Sequence, residues 1–195
     1  MEQELFDALS ALEIRAETER MRGLTGAGAL EALDPDSAKF ISLLVVSKKA
    51  RVIVEVGTGE GYSTLWLAYA AMSTGGTVIT CEIDPAKAAA AQRNVEQAGM
   101  AAYVEILTGD ARELLRHRAE PVDFLFIDAD FGQYETYFDV VYKRMSVGSV
   151  VVADDVVESE NELADYTTYA QNHPNLESVT LPLGQGLEFS VKTTD

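Results

Sequence analysis

Apolar positions along this chain alternate between two rhythms. Short β-branched runs fall at Val52–Val56, Thr77–Glu82, Val122–Ile127 and Gly148–Ala153, and stretches with helical spacing lie between them. The runs at 122–127 and 150–153 are apolar on successive residues, which predicts strands buried on both faces, as in a parallel sheet. The intervening segments predict helices over 62–73, 85–98, 111–117, 133–145 and 160–172. A further strand is predicted over Tyr103–Leu107, and the late runs 176–182 and 187–192 read as an antiparallel hairpin turning through Pro182–Gly186.

Helix boundaries are written in the turn chemistry. Asp34-Pro35 and Asp84-Pro85 each pair an N-cap carboxylate with a proline at the first helical position, and Gly99 suits a left-handed helix end. The helix opened by Asp34 runs to about Lys48, where Lys48, Lys49 and Arg51 suit the negative end of its dipole. Upstream, residues 3–22 place Leu5, Phe6, Leu9, Leu12 and Ala16 on one face of a helix that docks over the core or packs on a partner. Residues Gly23–Leu33 are rich in small side chains and read as a loop or short turns.

Strands alternating with helices predict an α/β fold: a doubly wound, Rossmann-like sandwich with a mostly parallel seven-stranded sheet and a C-terminal antiparallel hairpin. At 195 residues the expectation is a single domain, with 1–33 as an N-terminal helical extension. The 15 basic and 32 acidic residues give a formal net charge of −17, which disfavours a nucleic-acid partner. One cysteine, Cys81, excludes an internal disulfide. No leader pattern and no run of about 20 apolar residues is present, so a cytoplasmic protein without a membrane partner is expected.

Val52 to Thr64 carries the first chemical signal. The strand breaks into Gly57, Gly59 and Gly61 and restarts as a helix, the arrangement in which backbone passes close to a ligand. A dinucleotide fingerprint would need glycine at 62, where this chain has Tyr62. The expected ligand is therefore a single nucleoside with a small charged tail.

In open α/β sheets, ligands bind beyond the carboxyl ends of the strands. Here those ends read Glu55, Glu82-Ile83-Asp84, Gly109-Asp110, Asp128-Ala129-Asp130 and Asp154-Asp155. Asp84 and Asp110 are accounted for as helix caps. Glu82, about 20 residues past the glycine turn, is placed to accept ribose hydroxyls. Asp128, Asp154 and Asp155 would converge if their strands are neighbours, and three carboxylates without a nearby Lys or Arg repel one another. A hard divalent cation resolves that conflict, Mg²⁺ foremost with Mn²⁺ or Ca²⁺ as alternatives; the other reading is that Asp155 points to solvent or caps a turn, leaving two convergent carboxylates.

The ordered set Val54-Glu55-Val56-Gly57-Thr58-Gly59-Glu60-Gly61-Tyr62-Ser63-Thr64, Cys81-Glu82-Ile83-Asp84-Pro85, Gly109-Asp110-Ala111, Phe126-Ile127-Asp128-Ala129-Asp130 and Val152-Ala153-Asp154-Asp155 resembles the cation-dependent O-methyltransferases, the catechol and caffeoyl-coenzyme-A type. The resemblance runs from about Leu33 to the Leu183–Leu187 turn. It implies S-adenosylmethionine as cofactor. Glu55, Gly57, Gly59, Gly61, Tyr62 and Ser63 would surround its methionine end, Glu82 its ribose and Ala111 its adenine. It also implies Asp128, Asp154 and Asp155 as metal ligands, with Asp128 at the meeting of metal, cofactor and acceptor.

Two departures qualify it. The third ligand is commonly asparagine in the family, and here it is Asp155. A lysine three residues after the first metal-ligand aspartate assists acceptor deprotonation in well-known members, and here that position is Phe131. Neither Lys143 nor Lys192 lies in that motif, and His117 and His173 read as surface residues. Metal activation alone, Asp130 as substitute base, or an already acidic acceptor would each compensate. The expected activity is methyl transfer to a small hydroxylated, catechol-like acceptor. Methylation of a hydroxyuridine in tRNA, or nucleoside binding without catalysis, are the alternatives. The N-terminal helix allows a homodimer.

Overall fold

The structure, a computed structural model, describes residues 2–24, 30 and 32–195; most of the predicted 23–33 loop lies outside the described residues. Its elements are α1 (Glu2–Met21), α2 (Pro35–Lys48), β1 (Val52–Val56), α3 (Tyr62–Thr74), β2 (Thr77–Glu82), α4 (Pro85–Gln97), β3 (Val104–Thr108), α5 (Ala111–Arg116), β4 (Val122–Ile127), α6 (Tyr134–Tyr142), β5 (Met145–Ala153), α7 (Glu160–Asn172), β6 (Leu176–Leu181) and β7 (Leu187–Lys192). The seven strands form one sheet in the order β3-β2-β1-β4-β5-β7-β6. The first five are parallel, and β7 runs antiparallel to both β5 and β6. The expected α/β sandwich with a closing hairpin is the observed fold.

Side-chain alternation divides the core between two faces. Ile53, Phe124, Phe126, Val150 and Val152 pack with α1–α4, while Val54, Val56, Leu125, Ile127 and Val151 pack with α5–α7. Helix α1 docks on the first face through Leu5, Leu9 and Leu12, all buried. Phe6, on its flank, remains 41% exposed while meeting Trp66 and Tyr69 edge-on.

The predicted caps form as expected. Asp34 Oδ1 accepts the amides of Asp36 and Ser37, and Asp84 Oδ1 accepts that of Ala86. Lys49 closes α2 in the left-handed conformation.

Three boundaries differ from expectation. A 3₁₀ turn over 101–103 delays β3 to Val104. Helix α6 begins after a second 3₁₀ turn at 131–133 and ends at Tyr142. Strand β5 then starts at Met145 rather than 148, because it carries a bulge: Met145 pairs with Val122 before the register shifts to Val150 opposite Phe124. Gly148, at φ +84, absorbs the irregularity that reads as a strand start.

The strand order reverses between β1 and β4, and the ladder continues past the strand ends there. The amides of Gly57, Asp128 and Asp154 donate to Cys81 O, Val56 O and Ile127 O. These bonds hold the ends of β2, β1, β4 and β5 in one row.

Candidate active site

A cavity of about 1070 Å³ opens over that row. Its floor is the Gly57–Ser63 turn and the ends of β2, β4 and β5; its roof includes Glu13, Ala16 and Arg20 from α1. The Gly-rich turn is fixed by close backbone approach. Gly57 sits at φ +97, and a Cβ there would lie 1.7 Å from Asp128 O. At Gly59, φ +54, a Cβ would meet nothing within 4 Å.

Glu82 is buried at 6% exposure, and its carboxylate braces the turn: Oε2 accepts the Gly59 amide at 2.8 Å and Oε1 that of Asp84 at 2.9 Å. Each oxygen retains a second lone pair for another donor. Gly59, Tyr62, Ser63, Glu82 and Ala111 all line the cavity with Gly57.

Glu55 is placed differently from the expectation that it lines the ligand. It points from β1 under the start of α3, fully buried and outside the cavity lining. Its oxygens accept the Ser63 hydroxyl at 2.6 Å and the Thr64 hydroxyl at 2.5 Å. Burial pushes its carboxyl up to about 7, the hydroxyls of Ser63, Thr64 and Thr80 pulling the other way. It reaches the cavity lining through Ser63. Gly61 likewise stands behind the lining, as the left-handed cap of α3.

At the other end of the cavity, Asp128, Asp154 and Asp155 each offer a carboxylate oxygen within 4.8 Å of the others. Asp154 is 3% exposed and its Oδ1 has no hydrogen-bond partner. Burial first, then the charge of Asp155, pushes it up to about 7. Asp155 adopts φ +66, a conformation that short polar Asp and Asn side chains tolerate best. A buried, unsatisfied carboxylate beside two others is the donor set a hard divalent cation takes, so these residues fit such an ion.

Asp130 lines the rim, exposed, with Oδ1 accepting the Gly132 amide and capping the 131–133 turn. Phe131 also lines the cavity, its ring edge-on to Tyr134 at 5.9 Å. Asp110 caps α5 and grips Arg112 through both oxygens, which holds its carboxyl below the usual range. His117 is exposed as expected. His173 is half-buried among Phe138, Tyr142 and Tyr169 instead, with burial lowering its proton affinity, and it does not line the cavity.

The sequence reading missed the contribution of α1. Arg15 clasps Glu60 with both terminal guanidinium nitrogens and binds Glu19 through Nε, while Tyr62 donates to Glu13 at 2.6 Å. It also missed Asp34 as a lining residue, read there only as a helix cap.

Residues 11–192 match the family model described as O-methyltransferase. The chain is 38% identical over 141 residues to a catechol O-methyltransferase of Niastella koreensis, covering 70% of this chain and 63% of that protein. A catechol O-methyltransferase of Mycobacterium tuberculosis is 36% identical, with 69% and 61% covered. The matched region thus spans under two thirds of the length of these relatives. Among solved structures, an O-methyltransferase from Bacillus cereus in complex with SAH superposes with a TM-score of 0.80 at 31% identity, covering 94% of this chain and 91% of that one. The O-methyltransferase TomG from Streptomyces achromogenes, in complex with SAM, gives 0.81 at 27% identity, with 95% and 89% covered. On the extent of that match, the chain belongs to the O-methyltransferase family.

Proposed function

We propose that the protein transfers a methyl group from S-adenosylmethionine to a hydroxyl of a small aromatic, catechol-like acceptor, with a divalent cation assisting. The observation that carries this reading is the shared cavity: the Gly-rich turn and Glu82 at one end, three convergent aspartates at the other. The SAM- and SAH-bound neighbours support the cofactor.

The turn around Gly59 would admit the nucleoside, and Glu82 would take its ribose hydroxyls on lone pairs that the Gly59 and Asp84 amides leave open. Ser63, held by Glu55, and the backbone at Gly57 would face the methionine end. Helix α1, tied down through Arg15 and Glu13, would cover the cofactor and exclude water. In the transfer, the acceptor oxygen bonds the methyl carbon as the carbon–sulfur bond breaks, and the hydroxyl proton leaves by way of Asp130 at the rim to solvent. Asp128, Asp154 and Asp155 would hold the cation, which when bound would lower the acceptor hydroxyl pKa and fix its direction. Phe131 would supply an apolar wall for the ring, so positioning and acidification carry the reaction without a lysine.

The test is a radiolabelled methyl-transfer assay over a panel of catechols, with and without EDTA. Methylation that chelation abolishes and added Mg²⁺ restores is the expected result. Activity that survives chelation removes the cation from the reading, and no methylation of any catechol removes the acceptor class.

A further inference from the structure

Backbone pairing fixes where Asp128, Asp154 and Asp155 stand and leaves open which way their carboxylates turn. The amides of Asp128 and Asp154 complete the ladder with Val56 O and Ile127 O. Asp128 and Asp155 are only half-buried, so packing alone does not orient their side chains. Ligands of a metal ion are commonly oriented by hydrogen bonds from groups standing behind them.

One buried hydroxyl stands behind this set. Beyond Asp128 the chain leaves the sheet, and the Ala129 amide donates to the phenol oxygen of Tyr134, five residues on, at 3.3 Å. The 131–133 turn makes that meeting possible: the Gln133 amide donates to Asp130 O at 2.9 Å and folds Tyr134 back beneath the Ala129 peptide. The ring is gripped from two sides, edge-on to Phe131 at 5.9 Å and to Tyr166 at 5.4 Å, and is 1% exposed. Packing therefore sets its direction.

This hydroxyl has a proton to give. The Ala129 amide takes one lone pair of the oxygen, and the O–H remains a donor. Burial first, then the charge of Asp128, raises the proton affinity of the phenol; Asp155 and Asp154 add to this, against the pull of the Ala129 amide. A neutral donor suits three crowded carboxylates, because it binds an ionised oxygen strongly and adds no charge. Tyr166 is the internal contrast. It is also buried, at 3% exposure, but the groups whose charge acts on it are Glu188 and Tyr169.

Resting on the cation-assisted reading above, we infer that Tyr134 is a positioning residue for the cation site, its hydroxyl donating into the aspartate set from the Asp128 side and holding the carboxylates convergent for the ion. The ring lies behind the cavity lining, so it acts through the aspartates and not on the acceptor.

Tyr134→Phe tests this, since it keeps both ring contacts and removes only the oxygen. Mn²⁺ affinity is read by titration, with electron paramagnetic resonance reporting the free ion, in wild type, Tyr134→Phe and Tyr166→Phe. The last variant deletes a neighbouring buried hydroxyl that faces away from the aspartates. The expected result is Mn²⁺ binding weakened about tenfold or more in Tyr134→Phe, and within about twofold of wild type in Tyr166→Phe. Calorimetry on the chelated proteins should find S-adenosylhomocysteine bound equally by all three, with the Gly57–Ser63 turn undisturbed. Methylation by Tyr134→Phe should recover as Mn²⁺ is raised. Unchanged Mn²⁺ affinity in Tyr134→Phe, an equal loss in Tyr166→Phe, or a parallel loss of S-adenosylhomocysteine affinity overturns the inference. A wild-type protein that binds no Mn²⁺ removes the cation reading itself, and the inference with it.

Discussion

A Cβ on Gly57 would stand 1.7 Å from the carbonyl oxygen of Asp128, so the Gly-rich turn and the acidic cluster share one backbone contact. The amide of Asp128 meanwhile donates to Val56 O, which leaves neither strand end room to retreat. Gly57→Ala is therefore expected to cost more than about 3 kcal/mol, from the clash together with φ +97. Gly59→Ala, where a Cβ meets no atom, should cost only about 1 kcal/mol for its left-handed backbone. Urea unfolding of the two variants checks the difference, and equal losses would remove the shared contact as the cause.

Glu55 gives a pH signature. Its proton is held up to about 7 in the folded protein against about 4.5 in the unfolded chain. The native state thus binds more protons between those values, and this contribution to stability falls as pH rises through that window and is flat above it. The loss amounts to about 3 kcal/mol for a shift of this size. Glu55→Gln should lack the decline, so the stability difference between variant and wild type grows from pH 5 to pH 8. Parallel curves for the two proteins would show that Glu55 is ionised throughout.

Much of this fold is legible in the sequence. The strands β1, β2, β4 and β7 fall on their predicted residues because apolar runs bounded by turn residues leave little freedom of register. The aspartate cluster was legible because its members end neighbouring strands. Glu55 was misplaced because a motif gives spacing, whereas parity along β1 decides the face: Ile53 and Glu55 both point beneath α3. The clasp of Arg15 on Glu60 spans 45 residues and leaves no local pattern. The cavity rim needs Asp34, Glu158 and Gln185 brought together by tertiary packing, and the β5 bulge hid behind Gly148.

Asp154 separates charge repulsion from ion binding. Its buried Oδ1 lacks a partner beside Asp128 and Asp155, so Asp154→Asn should relieve repulsion in chelated protein. A gain of about 1 kcal/mol, or roughly 2–4 °C in Tm, is expected with EDTA present. Added Mn²⁺ should raise Tm in wild type and not in the variant. A variant that still gains with Mn²⁺ would place the ion elsewhere.

Arg15 ties α1 to the turn through Glu60, an ion pair half exposed on the arginine side. Such pairs contribute about 0.2–1 kcal/mol. Arg15→Ala is expected to weaken S-adenosylmethionine binding about two- to fivefold, with less salt dependence than wild type. Calorimetric titration at low and high ionic strength reads both quantities, and an unchanged affinity at low salt would mean α1 closes without this clasp.

Phe131 can be a wall for the acceptor or merely packing for Tyr134, whose ring meets it edge-on at 5.9 Å and 72°. The two roles part in kinetics. Loss of a wall that holds acceptor and transition state equally raises KM and leaves kcat nearly unchanged. Loss of packing alone lowers stability, by about 0.5–1.5 kcal/mol for the ring pair beyond its buried area, at constant KM. Because the ring lines the cavity beside Asp130, Phe131→Ala is expected to raise the KM for catechol about three- to tenfold, with Phe131→Leu recovering much of it. Steady-state rates with catechol for both variants decide the matter: an unchanged KM in Phe131→Ala would confine the ring to structure.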